Sequence, residues 1–134
     1  MGAVLGHLGL NVPNLETSKA YYDQLMPALG YEPFFATDTE FSYFPSDGKR
    51  GTYIFFYLAE VEGGYSRQRA GLQHLAFMVP TRAAVETALQ LATELGSTPV
   101  HTPRMFPEYS PFYYAAFWED LNGFYIEAVC HKDE

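Results

Sequence analysis

Two histidines occupy matching places in two short stretches of the chain. Residues 7–13 read His-Leu-Gly-Leu-Asn-Val-Pro and residues 74–80 read His-Leu-Ala-Phe-Met-Val-Pro, so four of the seven positions agree. The two stretches lie 67 residues apart, which is half of the 134-residue chain. A repeat of this length indicates a duplicated module, with His7 and His74 in equivalent places on equivalent strands.

A carboxylate near the end of the chain could complete a metal-binding set. Side chains alternate between the two faces of a strand, so Glu127 shares a face with Tyr125 while its apolar neighbours are suited to packing under a helix. A carboxylate in an apolar strand needs a partner or a metal. His7 and His74 alternate with apolar residues in the same way and are expected to face the same concavity. Two imidazoles and one carboxylate suit Zn²⁺ or non-haem Fe²⁺.

A less specific interpretation of the histidines also has to be weighed. A single histidine on a strand is more often hydrogen-bonded than bound to a metal, and duplication alone can repeat a histidine without a function. The repeated histidine together with Glu127 favours the metal site.

The elements that must position these residues occur in the same order twice. Asn14 and Thr81 are suited to begin helices as N-caps, and the helices are expected to end near Pro27 and at Gly96. Strands are predicted at about 3–12, 31–36, 40–45 and 51–59 in the first half, and at 72–79, 97–101, 112–119 and 123–130 in the second.

The element order predicts an α+β fold built from two tandem βαβββ modules. We expect the modules to span residues 1–60 and 72–130, joined by a polar, glycine-rich linker at 61–71, within one domain of residues 1–134. Their curved sheets would then surround a cavity, with the helices outside.

Composition narrows the partners and the compartment. The net charge of −8 disfavours nucleic acid and membrane surfaces as partners. Cys130 is the single cysteine, which excludes an internal disulfide and fits a reducing compartment. Since the sequence has neither an apolar run of roughly 20 residues nor a signal peptide, we expect a cytoplasmic protein. Eleven tyrosines and eleven phenylalanines suggest that some aromatic rings line a cavity for a small molecule.

Over its whole length the chain resembles the vicinal oxygen chelate superfamily, which includes glyoxalases, bleomycin-resistance proteins and extradiol dioxygenases. The resemblance rests on His-Leu-Gly-Leu at 7–10, on His-Leu-Ala-Phe at 74–77, and on the closing segment at 113–129. Within that segment, Asp-Leu-Asn-Gly-Phe-Tyr-Ile-Glu at 120–127 is the most specific part.

The resemblance implies metal ligands on the first and last strands of each module, which are positions 7, 55, 74 and 127. Phe55 departs from the pattern, because glyoxalase-type lyases have a fourth ligand there and phenylalanine cannot bind a metal. His7, His74 and Glu127 remain, a set that resembles that of the extradiol dioxygenases. The cofactor implied is a divalent ion such as Fe, Zn, Ni or Mn.

The resemblance also implies a function, and the strand faces and the proline-rich loop predict a pocket. The chain would act on a small organic substrate that chelates the metal through oxygen, as a lyase, an isomerase or a ring-cleaving dioxygenase. Tyr53, Phe55 and Tyr125 lie on the ligand-bearing faces and are predicted to line the substrate pocket. Arg104 and Tyr109, on the proline-rich loop, are predicted to contact the substrate.

A second function and an assembly are open at this point. The chain could instead be a metal-free protein that binds and sequesters a small molecule such as an antibiotic, in the manner of bleomycin-resistance proteins. Small relatives commonly form dimers, so we expect a symmetric homodimer. Whether the modules pair within one chain or between chains stays open.

Overall fold

The computed structural model describes residues 2–134, which form two compact units that meet in the sequence between Gly63 and Gly64. The first unit contains β1 (His7–Val12), α1 (Leu15–Leu25), a short 3₁₀ turn (Met26–Leu29), β2 (Tyr31–Ala36), β3 (Glu40–Pro45) and β4 (Tyr53–Leu58). Its strands form one sheet in the order β1-β4-β3-β2. β1 is parallel to β4, and the other neighbours are antiparallel.

The second unit repeats this plan. It contains β5 (Leu75–Met78), α2 (Arg82–Glu94), β6 (Thr98–Met105), β7 (Tyr114–Glu119) and β8 (Tyr125–Cys130), and its sheet has the order β5-β8-β7-β6. β5 is parallel to β8, as β1 is to β4. The predicted α+β fold with two βαβββ modules is therefore confirmed.

Both helices begin where the sequence predicted. The side-chain oxygen of Asn14 accepts a hydrogen bond from the backbone N–H of Thr17 at 2.9 Å, and that of Thr81 accepts one from Ala84 at 3.1 Å. Each cap satisfies one of the backbone donors that have no partner within the helix. α1 ends two residues before Pro27, which cannot donate within a helix, and the turn closes at Gly30 with a φ of +85°.

Each helix covers one face of its own sheet. In the first unit, the ring of Tyr22 on α1 stacks on Phe56 of β4 at 4.4 Å between centroids. In the second unit, α2 contacts β7 and β8. Ile126, Ala128 and Cys130 on β8 are fully buried. Glu127 and Tyr125 alternate with these residues and so belong to the other face, as predicted.

The strand that follows α2 is longer than predicted. β6 continues through Pro99 and Pro103 to Met105, whereas the sequence indicated a strand that ends near residue 101. Two register irregularities, between Pro99 and His101 and between His101 and Arg104, interrupt its pairing with β7. Proline lacks a backbone N–H and so cannot donate a hydrogen bond to a neighbouring strand. It is tolerated here because β6 is an edge strand with bulges, where such a bond is not required.

The two histidine-bearing strands begin later than predicted. Pairing of β1 starts with His7 opposite Tyr53, and pairing of β5 starts with Leu75 opposite Ile126. His74 therefore lies one residue before β5. No helix among residues 2–134 combines the length and the apolar character needed to cross a membrane.

Candidate metal site

His74 and Glu127 come together in the second unit. The Nε2 atom of His74 lies 3.3 Å from Oε1 of Glu127. The side chain of Glu127 is 1% exposed, whereas that of His74 is 38% exposed. The other ring nitrogen of His74, Nδ1, is hydrogen-bonded to the side-chain oxygen of Gln73. The pair thus combines a buried carboxylate with a histidine that reaches the surface.

Strand register explains why these two residues meet. Ala76 lies opposite Glu127 in the parallel pairing of β5 and β8, and His74 precedes Ala76 by two residues on the same face. The first unit has the same register, since Gly9 lies opposite Phe55 and His7 precedes Gly9 by two residues. Phe55 therefore occupies in β4 the place that Glu127 occupies in β8.

Glu127 has a second partner in Tyr113, immediately before β7. The hydroxyl of Tyr113 donates a hydrogen bond to Oε2 of Glu127, so the two carboxylate oxygens have different partners. Burial, and next the hydrogen bond to Glu127, raise the pKa of Tyr113 above the usual 10.0 of a tyrosine. Tyr113 accordingly keeps its proton at neutral pH and acts as a donor to the carboxylate.

Aromatic rings surround the exposed side of the pair. Tyr125 stacks on Phe117 with centroids 5.3 Å apart, and both rings lie within 6.3 Å of the His74 ring. The guanidinium of Arg67 lies 4.1 Å above the ring of Tyr125 and forms an ion pair with Glu119 at 2.5 Å. Arg67 comes from the segment predicted as a linker, part of which therefore packs on the second unit.

Two of the predicted pocket residues form a neighbouring cluster. The guanidinium of Arg104 lies 3.7 Å above the ring of Phe106, and Tyr109 stacks on the same ring at 5.9 Å. Tyr109 is 64% exposed, and its ring lies 5.0 Å from that of Tyr113. Arg104 and Tyr109 are thus connected to Glu127 through Phe106 and Tyr113.

In the first unit, His7 lies beside an aromatic ring instead of a carboxylate. Its ring centroid lies 5.2 Å from that of Phe55. The ring centroid of Phe34 lies within 6.3 Å of those of Tyr53 and Phe55, and the ring centroid of Phe35 lies 5.9 Å from that of Phe55. Phe34 and Phe35 are 48% and 43% exposed. This face presents accessible aromatic surface beside His7.

The spacing of the two donors in the second unit is compatible with their sharing one divalent metal. Two ligands each about 2.0–2.2 Å from one tetrahedral ion lie roughly 3.3–3.6 Å apart, which agrees with the 3.3 Å between His74 and Glu127. Within residues 2–134, no three side chains of His, Cys, Asp or Glu are grouped so as to hold a metal. His7, which belongs to the first unit, stays a predicted ligand.

Sequence reasoning did not identify Tyr113 or Arg67. Strand alternation could have placed Tyr113 on the face of Phe117, which is paired with Glu127, but only if the register of β7 and β8 had been known. Arg67 gave no signal, because it lies in a glycine-rich segment without periodicity.

Comparison with known proteins gives matches along nearly the whole chain. The model of the Glyoxalase/Bleomycin resistance protein/Dioxygenase superfamily matches residues 4–128. A glyoxalase candidate from Bacillus halodurans, known from a crystal structure, is 33% identical over 94% of each chain, with a TM-score of 0.74. A glyoxalase/bleomycin resistance protein from Albidiferax ferrireducens T118 is 20% identical over 94% of this chain and 97% of that one, with a TM-score of 0.75, which is a likeness of fold. The uncharacterized protein YqjT of Bacillus subtilis strain 168 is 27% identical over 92% of this chain and 95% of its own length.

Proposed function

The chain belongs to the Glyoxalase/Bleomycin resistance protein/Dioxygenase superfamily, and we propose that it is a divalent-metal-dependent enzyme of that superfamily. Its proposed substrate is a small organic molecule that presents adjacent oxygen atoms to the metal. The reactions that suit such a site are those of a lyase, an isomerase or a ring-cleaving dioxygenase.

One contact carries this proposal. Glu127 is buried among apolar strand residues, and its Oε1 atom faces the Nε2 atom of His74 at 3.3 Å. Burying a carboxylate is costly unless a charge or a hydrogen bond compensates for it, and a divalent metal shared with His74 would add two positive charges to the hydrogen bond that Tyr113 donates. His7 is the third proposed ligand, from the same chain or from a second copy, because it has the place beside β4 that His74 has beside β8.

The residues around the pair suit metal-assisted chemistry. When bound, a divalent metal acts as a Lewis acid that stabilises negative charge developing on substrate oxygens. Glu127 would offset part of the charge of the cation, and its burial keeps water from competing for its oxygens. Phe117 and Tyr125 beside His74 provide an apolar wall. Such a wall excludes water and strengthens the electrostatic interactions within the site.

Metal analysis tests the proposal directly. Wild-type protein purified without chelator and titrated with Zn²⁺, Mn²⁺, Ni²⁺ or Fe²⁺ is expected to bind one ion per chain. Glu127→Gln removes the charge with little change of shape, and should weaken binding by more than the roughly 10–100-fold that loss of an outer-shell partner causes. Glu134→Gln, at an exposed carboxylate, is the matched control and should leave binding unchanged. Wild-type protein that takes up no divalent ion would overturn the proposal.

The exposed aromatic face of the first unit favours a second candidate function. Phe34 and Phe35 offer accessible rings next to Phe55, and such surface can bind an apolar small molecule without a metal. In this case the protein would sequester its ligand, and the histidines would have no metal to bind. The metal titration separates the two candidates, because only the enzyme requires uptake.

A further inference from the structure

We propose that Tyr113 is a positioning residue that commits the Glu127 carboxylate to binding a metal through a single oxygen, Oε1. This inference rests on the proposed function, since it concerns how that metal would be held. It goes further in assigning a role to a residue outside the predicted ligand set.

The two oxygens of Glu127 are in different environments. Oε2 accepts the hydrogen bond from the Tyr113 hydroxyl, while Oε1 faces Nε2 of His74 at 3.3 Å. A hydrogen bond to an ionised carboxylate is stronger than one between neutral groups, and Glu127 is 1% exposed, so water cannot easily replace Tyr113. A metal at Oε2 would have to share that oxygen with the Tyr113 hydroxyl, whereas Oε1 can bind a metal without disturbing the hydrogen bond.

Tyr113 is itself held in place. Its backbone carbonyl accepts a hydrogen bond from the N–H of Phe106 at 2.7 Å, and its own N–H donates to Ser110 at 3.3 Å. Its ring meets that of His131 edge-on, with centroids 5.1 Å apart, and that of Tyr109 at 5.0 Å. The hydroxyl is therefore directed at Glu127 by both backbone and ring contacts.

The duplication offers an internal comparison. In the pairing of β7 with β8, Phe117 lies opposite Glu127, and Tyr113 precedes Phe117 by four residues. In the pairing of β3 with β4, Ser42 lies opposite Phe55, so the corresponding residue is Asp38. The first module, which has Phe55 in place of the carboxylate, thus has no tyrosine at this position. This is expected if the role of Tyr113 is to hydrogen-bond the carboxylate of Glu127.

Ligation through one oxygen has a consequence for the substrate. A carboxylate that binds through both oxygens occupies two positions on a metal, whereas one held as Tyr113 holds Glu127 occupies one. The position that is kept free remains available to a substrate that chelates through two oxygens. Tyr113 would thus keep free a coordination position of the kind that a catalytic metal site requires.

Tyr113→Phe removes only the hydroxyl and is the test variant. Its matched control is Tyr114→Phe, which removes the neighbouring hydroxyl that donates to Glu86 on α2, away from the site. We expect Tyr113→Phe to bind Zn²⁺ about 10–100-fold more weakly than wild type, and Tyr114→Phe to bind it as wild type does. With Co²⁺ as the probe, the visible bands of Tyr113→Phe should be weaker, because a second carboxylate oxygen raises the coordination number.

Equal affinity and equal Co²⁺ spectra for the two variants would overturn this inference while leaving the proposed function intact. Failure of wild-type protein to bind any divalent ion would instead overturn the proposed function. If Tyr113→Phe does not fold, infrared difference spectra of wild type against Glu127→Gln decide the matter. Zn²⁺ should widen the separation of the two carboxylate stretches of Glu127, as one-oxygen ligation requires. A narrowed separation would contradict the inference.

Discussion

At position 55 the two modules differ in their chemistry. Phe55 and Glu127 occupy the same register on β4 and β8, yet one is aromatic and the other is a buried carboxylate. The difference makes the first unit apolar beside His7 and the second unit polar beside His74. A duplicated fold can thus present two different surfaces through the exchange of a single side chain on each last strand.

Phe55→Glu is expected to add a fourth metal ligand. The new carboxylate would lie beside His7, whose ring is now 5.2 Å from that of Phe55. The variant should bind Zn²⁺ more tightly than wild type, because each added charged ligand increases affinity, and should close one open position. Calorimetric titration measures the change. The control Leu58→Glu adds the same charge at the exposed end of β4, on the face opposite Phe55. If both variants bind equally, the equivalence of positions 55 and 127 has no consequence for the metal.

Alternation along the strands predicted part of the site. It placed Glu127 on the face away from α2 and placed His74 on the same side, and the two side chains do meet. It could not supply the bond from Tyr113, because that bond depends on the register between β7 and β8, which no local pattern encodes. The third ligand, His7, stays a prediction.

At the scale of elements, the local signals at the helix ends were sufficient. Asn14 and Thr81 act through hydrogen bonds within three residues of sequence, so the sequence contains all the information they need. The extent of β6 was predicted wrongly because proline disfavours strands on average, whereas an edge strand with bulges accommodates it. The deciding fact, that β6 is at the edge of its sheet, is a property of the tertiary fold.

Removing either helix cap should destabilise the protein. Asn14→Ala and Thr81→Ala each leave a backbone N–H of the first helical turn without its side-chain acceptor, at an expected cost of about 0.5–2 kcal/mol in the free energy of unfolding. Urea denaturation measures this cost. Thr87→Ala, at an exposed position within α2, is the control and should cost nothing, since alanine is the better helix former. A cap variant as stable as its control would show that the cap contributes nothing to stability.

At the scale of the whole molecule, the 67-residue repeat predicted the architecture before any single element was considered. Each unit repeats one strand order, and each sheet is left with two unpaired edges, β1 and β2 in the first and β5 and β6 in the second. Exposed strand edges are usually covered or paired in natural proteins. The repeat therefore explains the internal similarity of the chain, and the unpaired edges of the two sheets support the prediction of a partner.

We predict that the protein is a symmetric homodimer. Light scattering at micromolar concentration should give a mass of about 30 kDa, twice the 15.1 kDa of one chain.

Met78, on the edge strand β5, is 75% exposed, more than any other large apolar side chain in the strands among residues 2–134. A charge on an edge strand opposes pairing, so Met78→Lys should shift the mass toward that of the monomer. Val61→Lys, at an equally apolar exposed residue outside the strands, should leave the dimer intact. A wild-type mass near 15.1 kDa would contradict the prediction.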